Sequence, residues 1–283
     1  ATQYFPHFEC YNKLLALDTA NVASPEDLAN CYKEDDSITF TRWSTFSLPE
    51  KLSPSDFNTI HSAKQDIFTY PNYNRNTEYH WHLNFANQML FIAYGGSLYA
   101  QDEMQCLEHP ILGSVQRKLA TNRSIMMFTR ANNRATPILI EGVDRKLTIA
   151  VNPDSSKGRP FGLYGNNFNR ANEETILKAL TVFPVDLDQS LRPRSNIIAM
   201  EAPPGGYGNY KATQIKDILE TAYSGYRAAV LQTEEYKKSK GLNSLDCVVH
   251  TGHWGTGAYG GNRVLMAFLQ LFAADMAGGD IFM

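Results

Sequence analysis

The sequence predicts an α/β fold, a mostly parallel or mixed sheet flanked by helices, with a helical extension ahead of it. Three observations predict it. From about residue 71 onward short apolar runs alternate with helical patterns; a glycine-rich stretch separates the last clear apolar run from a final helix; and residues 1–70 carry helix signals and no convincing strand. Alternating strands and helices bury a sheet beneath helices.

In the first seventy residues, Ser24-Pro25-Glu26-Asp27 and Ser53-Pro54-Ser55-Asp56 each place an N-cap candidate before a proline at the first helical position. This defines a helical N-terminal extension over 1–70, ahead of a domain at 71–283. In that domain Trp81 to Phe85, Ile125 to Thr129, Pro137 to Ile140, Leu147 to Val151, Ile197 to Ala202, Cys247 to His250 and Ile281 onward read as strands. Asn172 to Leu180, Lys211 to Lys238 and Arg263 to Met276 read as helices. In the second of these Ile215, Ile218, Leu219, Ala222, Tyr223 and Tyr226 fall on one helical face. Asn152 to Arg170, rich in Gly, Asn and Pro, reads as a long surface loop beside a site.

Composition narrows the function. With 26 basic and 29 acidic residues the net charge is −3, which gives no field for a nucleic acid, so any phosphate recognition has to be local. The four cysteines show no paired metal-ligand spacing and no disulfide framework, which fits a reducing compartment. No leader pattern opens the chain. The most apolar late stretch, Val264 to Ala277, is broken by Gln270 and Asp275 and is too short to span a bilayer, so the protein reads as soluble.

Residues 250–261, HTGHWGTGAYGG, carry five glycines between a strand and a helix. Glycines let the backbone approach a ligand closely, and N–H groups leading into a helix N-terminus attract anions, so a phosphate or diphosphate is the expected guest. The stretch contains G-x-G-x-x-G at Gly255, Gly257 and Gly260. The dinucleotide fingerprint also wants an acidic residue ending a further strand about 20 residues on, and here Asp280 begins the next apolar run instead. A second stretch, residues 83–110, runs from a strand through Gly95-Gly96 to Gln101-Asp102-Glu103 at the start of a helix. Neighbouring carboxylates point to different sides of a helix, so one can hold a substrate hydroxyl while the other handles a proton. The plainer reading is that acids in a first turn complement the helix dipole.

Together the two stretches resemble macrodomains of the poly(ADP-ribose) glycohydrolase type, whose signature is a strand ending V-D-F-A-N, a G-G-G loop, Q-E-E, and a later T-G-N-W-G-C-G-A-F-G-G loop. Thr251 to Gly261 follows the late loop in its glycines, Trp254, and Tyr259 at the family's Phe. Asn84-Phe85-Ala86-Asn87 follows the strand end, the Asn84 to Asp102 interval equals the family's, and Ile198 to Ala202 is similar to another core strand. The likeness covers roughly 80–283. It implies a macrodomain-like mixed sheet, a diphosphate held by the loop at Gly252, Gly255, Thr256, Gly257 and Ala258, and Tyr259 packing near the distal ribose.

Departures are informative. Asn84 stands at the family's Asp, Phe91-Ile92-Ala93 at its G-G-G, and Asp102 at its first Glu; Glu103 is kept. Carried over by position, the resemblance implies Glu103 as acid and base, Asp102 orienting ribose hydroxyls, Asn87 bonding the distal ribose, Asn84 in substrate binding, and Gln101 toward the adenosine. The Q-D-E motif is similar to a divergent branch that includes bacterial effectors removing ADP-ribose from arginine of ubiquitin. This implies an ADP-ribosyl hydrolase acting on a mono(ADP-ribosyl)-arginine linkage; poly(ADP-ribose) glycohydrolase and a non-catalytic ADP-ribose reader stay open as alternatives. Implied partners are ADP-ribose and an ADP-ribosylated protein such as ubiquitin, with no nucleic acid, membrane, metal or cofactor. Implied locations are cytoplasm, nucleus, or a host cytosol for a secreted effector.

Six further residues have bland readings. His80 and His82 share a strand face but lack a third ligand at metal-like spacing, so a structural or surface role is expected. Trp81 and Trp254 are expected in the core. His253, at the family's Asn, is placed near phosphate without a catalytic role, and Cys106 is expected as a buried small hydrophobe.

Overall fold

The computed structural model describes residues 37–51, 60–63, 70–184, 193–203 and 209–282. The helix signals at Ser24 and Ser53 lie outside these residues. In chain order the strands are β1 Thr39–Arg42, β2 His61–Ser62, β3 Glu78–Ala86, β4 Arg130–Ala131, β5 Arg134–Ala135, β6 Ile138–Asp144, β7 Leu147–Ile149, β8 Leu180–Val182, β9 Arg194–Glu201, β10 Asp246–His250 and β11 Asp280–Phe282. The helices are α1 Gln101–Glu108, α2 Ile111–Thr121, α3 Asn167–Arg170, α4 Glu173–Ala179, α5 Ala212–Lys240 and α6 Arg263–Ala277.

A seven-stranded sheet runs β1-β6-β9-β3-β10-β11-β2. β1 pairs with β6 antiparallel, whereas β9, β3, β10, β11 and β2 follow one another in parallel. The α/β expectation with a mixed sheet is therefore met. The chain groups into two compact units: one holds Met89–Met127 and Gly142–Ser195, the other Thr39–Gln88, Phe128–Glu141 and Asn196–Met283.

In the second unit β3 is the central strand, buried along almost its whole length because it is paired on both edges. Its alternation sorts the side chains. Tyr79, Trp81 and Leu83 enter a core with Ile198, Met200 and Val249 of the neighbouring strands, while His80, His82 and Asn84 take the opposite face. On the core side lie α5 and α6. The expected face of α5 is the one buried: Ile218, Ala222, Tyr223 and Tyr226 are inside, with Ile215 and Leu219 packed against the same core. Both tryptophans expected in the core are there, Trp81 donating to the Thr233 hydroxyl at 2.9 Å and Trp254 to the Met200 carbonyl at 3.1 Å.

In the first unit α1 opens at Gln101 and α2 follows directly, while β7 and β8 form a small antiparallel pair. Asn172 caps α4 by accepting from the Thr175 N–H at 2.9 Å.

Three expectations need correction, and one helix had not been expected. Residues 1–70 do contain strands, β1 and β2; β1, TFTR, is short, and the antiparallel partner that fixes it lies a hundred residues on. Ile125 to Thr129 is no strand: Ile125–Met127 form a 3₁₀ turn, because Ser124 accepts from Met126 N–H through its hydroxyl and from Met127 N–H through its carbonyl, both at 3.2 Å. Asn152 to Arg170 is not simply a surface loop, since it contains a 3₁₀ turn at Ser155–Lys157 and α3, and buries Leu163 and Phe168. The α2 helix, which begins directly after Pro110, was not anticipated. Among the described residues no helix is long and apolar enough to cross a membrane.

Candidate functional site

The candidate residues fall into two groups, one in each unit. In the first unit Gln101, Asp102 and Glu103 form the opening turn of α1, and all three are buried. Ala100 at the N-cap has no side-chain acceptor, and Glu103 reaches back to it: its Oε2 accepts from the Ala100 N–H at 3.0 Å. Asp102 Oδ1 lies 3.9 Å from the Cys106 thiol, one turn on, and Cys106 is fully buried as expected.

Tyr164 joins this group and was not singled out by the sequence. Its phenol meets the backbone N–H of Gln101 and faces the Glu103 carboxylate; burial first, and that carboxylate, raise its pKa above the ordinary tyrosine value, so it stays protonated. The segment that carries it is pinned to the start of α1. Tyr99 and Gly165 exchange backbone hydrogen bonds at 3.2 and 2.8 Å, and the Tyr99 ring stacks on Phe168 at 4.1 Å. The signal for Tyr164 was its place in the Gly-rich segment suspected of lying beside a site.

Ahead of α1, residues 89–96 take successive turns where the family resemblance expects glycines. Phe91 is fully buried with φ +54°, a left-handed backbone that glycine adopts freely and phenylalanine does not. Phe91, at a position where the resemblance expects a glycine, thus has a backbone of the type glycine favours.

In the second unit the glycine loop leaves β10 and enters α6. Its base is clamped by Gln270 of α6, which is fully buried: Nε2 donates to the Gly252 carbonyl at 3.1 Å, and Oε1 accepts from the Thr251 and Tyr226 hydroxyls at 2.5 and 3.1 Å. Inside the loop Gly261 N–H donates to the Gly255 carbonyl at 2.9 Å, and Thr256 donates through N–H and hydroxyl to the His253 carbonyl. Asn262 caps α6 by accepting from Leu265 N–H at 3.0 Å.

Two of the glycines separate fold from function. Gly255 has φ +72°, and a Cβ there would stand 2.6 Å from the Ala202 Cβ and 2.8 Å from the Met266 Cε, so the fold itself demands glycine. At Gly257 a Cβ would meet no described atom within 4 Å, and its φ is not positive. The fold places no demand on that position, and with Ala258 it is solvent-exposed, open to a ligand that approaches the backbone.

Tyr259 lies at the centre of a polar chain. Its hydroxyl accepts from Asn87 Nδ2 at 3.3 Å and donates to Glu201 Oε1 at 3.1 Å. Asn87, just past β3, is held by its backbone, whose carbonyl accepts from the Thr129 hydroxyl at 3.0 Å. Glu201 ends β9 and is nearly buried; burial raises its pKa, against hydrogen bonds from Tyr259 and the Gln88 N–H and the nearby Arg130. Sequence reading had placed Glu201 only as a core-strand residue. Asn84 is fully buried on β3, three residues before Asn87 and on the face that carries His80 and His82.

The histidines are a packed cluster. His80 Nε2 donates to Glu78 at 3.1 Å, which leaves Nδ1 to accept from His250 Nε2 at 2.8 Å, and His82 stacks on His250 at 4.6 Å. Burial lowers the His80 pKa, so these contacts suit a neutral His80 ring. Among the described residues no three His, Cys, Asp or Glu are arranged to hold a metal ion. His253 is exposed on the loop, and nothing among its contacts assigns it a role.

Over residues 164–283, under half of the chain, the sequence is similar to the family described as poly (ADP-ribose) glycohydrolase (PARG), Macro domain fold. That span holds Tyr164, Glu201 and the glycine loop, and leaves out Gln101 to Glu103. Among solved structures the chain is similar to poly(ADP-ribose) glycohydrolase from Thermomonospora curvata, at 12% identity and a TM-score of 0.45 over 96% of this chain and 92% of that one. The same enzyme bound to the inhibitor ADP-HPD aligns at 13% identity, with the same coverage and TM-score. No curated protein matches the chain.

Proposed function

We propose that the protein is an ADP-ribosyl hydrolase that holds ADP-ribose with its glycine loop and cleaves the glycosidic bond of the distal ribose. The observation that carries this reading is the loop. It is clamped at its base by Gln270, closed on itself at Gly255 and Gly261, and open at Gly257, where the fold itself does not require glycine. A rigid loop with exposed backbone suits a diphosphate, whose oxygens need N–H donors and close approach. The family similarity over 164–283 supports the same chemistry.

In this reading Gly252, Gly255, Thr256, Gly257 and Ala258 bind the diphosphate, Tyr259 and Asn87 the distal ribose, Gln101 lies toward the adenosine, and Asn84 takes part in substrate binding. Asp102 orients ribose hydroxyls. Water adds to the anomeric carbon as the glycosidic bond breaks; Glu103 gives a proton to the leaving group and recovers one from the water.

The bond cleaved is a mono(ADP-ribosyl)-arginine linkage on a protein such as ubiquitin. The support is chemical: an arginine adduct carries its positive charge as a guanidinium before cleavage and departs as a guanidine that takes up a proton, and the neighbouring carboxylates Asp102 and Glu103 suit that charge and the activation of water. Poly(ADP-ribose) hydrolysis is the second reading, favoured by the family similarity. Product release from an ADP-ribosylated-arginine protein and from purified poly(ADP-ribose), each with wild type and Glu103→Ala, tests both. ADP-ribose released from the first substrate alone, and lost in the variant, is the expected outcome. Release from the polymer moves the protein to the second reading, and tight ADP-ribose binding without release from either leaves a reader.

A further inference from the structure

Within the second unit one buried carboxylate has no part in the roles given above. Glu201 closes β9, and its side chain joins two segments distant in sequence. It accepts from the Tyr259 hydroxyl in the glycine loop at 3.1 Å and from the backbone N–H of Gln88 just past β3. Tyr259 in turn accepts from Asn87 at 3.3 Å, so Asn87, Tyr259 and Glu201 form one line of hydrogen bonds. A phenylalanine at 259 would fill the same space and make neither bond; the hydroxyl is what this chain adds. The cation closest in charge terms to Glu201, Arg130, is committed to Asp217 through a two-pronged contact at 2.8 and 2.9 Å. Burial favours the neutral form of Glu201, while the two donors aimed at it favour the carboxylate. Such an acceptor, at a strand end, with both donors on elements that carry candidate ligand contacts, fixes positions at a cost that a folding role alone does not require.

We infer that Glu201 is a positioning residue of the ribose site: through the Tyr259 hydroxyl it holds the loop's aromatic ring and the Asn87 amide in the arrangement that ADP-ribose meets on arrival. The inference rests on the ADP-ribose reading. Its physical content is preorganisation, since a ring and an amide already ordered cost less entropy to order on binding.

Calorimetric titration of ADP-ribose into the full chain tests it, with Tyr259→Phe, Glu201→Ala, Glu201→Gln and the Tyr259→Phe/Glu201→Ala double variant, each also melted. Tyr259→Phe and Glu201→Ala are each expected to weaken binding about tenfold, and the double variant also about tenfold, because both remove one link. Glu201→Gln keeps an acceptor for the hydroxyl and is expected within about threefold of wild type. A double variant weakened about a hundredfold, or a Glu201→Ala variant that loses melting temperature and keeps its affinity, overturns the inference and leaves the ADP-ribose reading standing. Wild type that binds no ADP-ribose overturns both.

Discussion

The Glu103 carboxylate accepts a hydrogen bond from the backbone N–H of Ala100 at 3.0 Å, so the residue proposed to move protons also caps its own helix. The two duties use the side chain differently. A cap needs an acceptor oxygen, which an amide supplies; proton transfer needs a group that ionises.

The substitutions Glu103→Gln and Glu103→Ala therefore separate them. Glu103→Gln is expected to melt with wild type and to lose activity at least about a hundredfold. Glu103→Ala loses the same activity and about 1 kcal/mol of stability as well. Paired melting and product-release measurements check this; a Glu103→Gln variant that retains wild-type turnover removes Glu103 from the chemistry.

Tyr164 is expected to act beside Glu103 through its hydroxyl alone. Tyr164→Phe keeps the ring, and the residue is about half exposed, so stability should hold. The hydroxyl that meets the Gln101 N–H and faces the carboxylate is lost, and kcat/KM is expected to fall about tenfold. Steady-state kinetics with a melting control decide it.

The loop glycines give a paired test. Gly255→Ala forces a Cβ against Ala202 and Met266 at a positive φ and is expected to destabilise by about 2 kcal/mol or more. Gly257→Ala meets nothing among the described residues, so it should melt like wild type yet weaken ADP-ribose binding by about tenfold or more. If Gly257→Ala binds as wild type does, the ligand does not approach the backbone there.

Much of this was legible in the sequence, and the limits are physical. The α5 face and β3, β9 and β10 were read correctly because each has a strong period or a long apolar run. β1 was missed because its order comes from pairing with β6 and not from its own four residues. Gln101 to Glu103 and the glycine loop stood out as local motifs. Glu201 and Tyr164 did not: each gains its meaning from partners far along the chain, Tyr259 for one and Gln101 and Glu103 for the other. Gln270 had looked like an interruption of an apolar stretch, and it is the clamp beneath the loop.

That clamp predicts a stability defect that carries into binding. Gln270→Leu leaves the Gly252 carbonyl and the Thr251 and Tyr226 hydroxyls in the interior without this partner, which is expected to cost about 3 kcal/mol. Denaturant unfolding measures the cost, and a variant as stable as wild type would show that the clamp is dispensable.

Glu108 and His109, adjacent at the end of α1, are expected to pull the pH dependence of stability in opposite directions. Burial raises Glu108 from 4.5 to about 7, although it accepts from the Thr148 hydroxyl at 2.9 Å and feels Arg145. Between those values the folded state holds a proton that the unfolded chain has released. Its stabilising contribution is therefore full below pH 4.5 and is lost as pH rises through about 7. His109 is the reverse case. Burial, and Arg145 second, lower it from 6.5 to about 3; the Gln105 carbonyl can only accept, so Nδ1 carries the proton and Nε2 accepts from the Ser195 hydroxyl at 2.9 Å. Its contribution is present above pH 6.5 and is lost as pH falls toward about 3. Between pH 4.5 and 6.5 the two slopes oppose, so wild-type stability changes little on their account. Glu108→Gln keeps an acceptor for Thr148 and removes one slope: stability should then rise with pH across that window and exceed its acid value at pH 8 by about 3 kcal/mol more than wild type does. Urea unfolding of both proteins from pH 4 to 8 checks it, and parallel curves would mean that Glu108 titrates in the folded protein as it does in the unfolded chain.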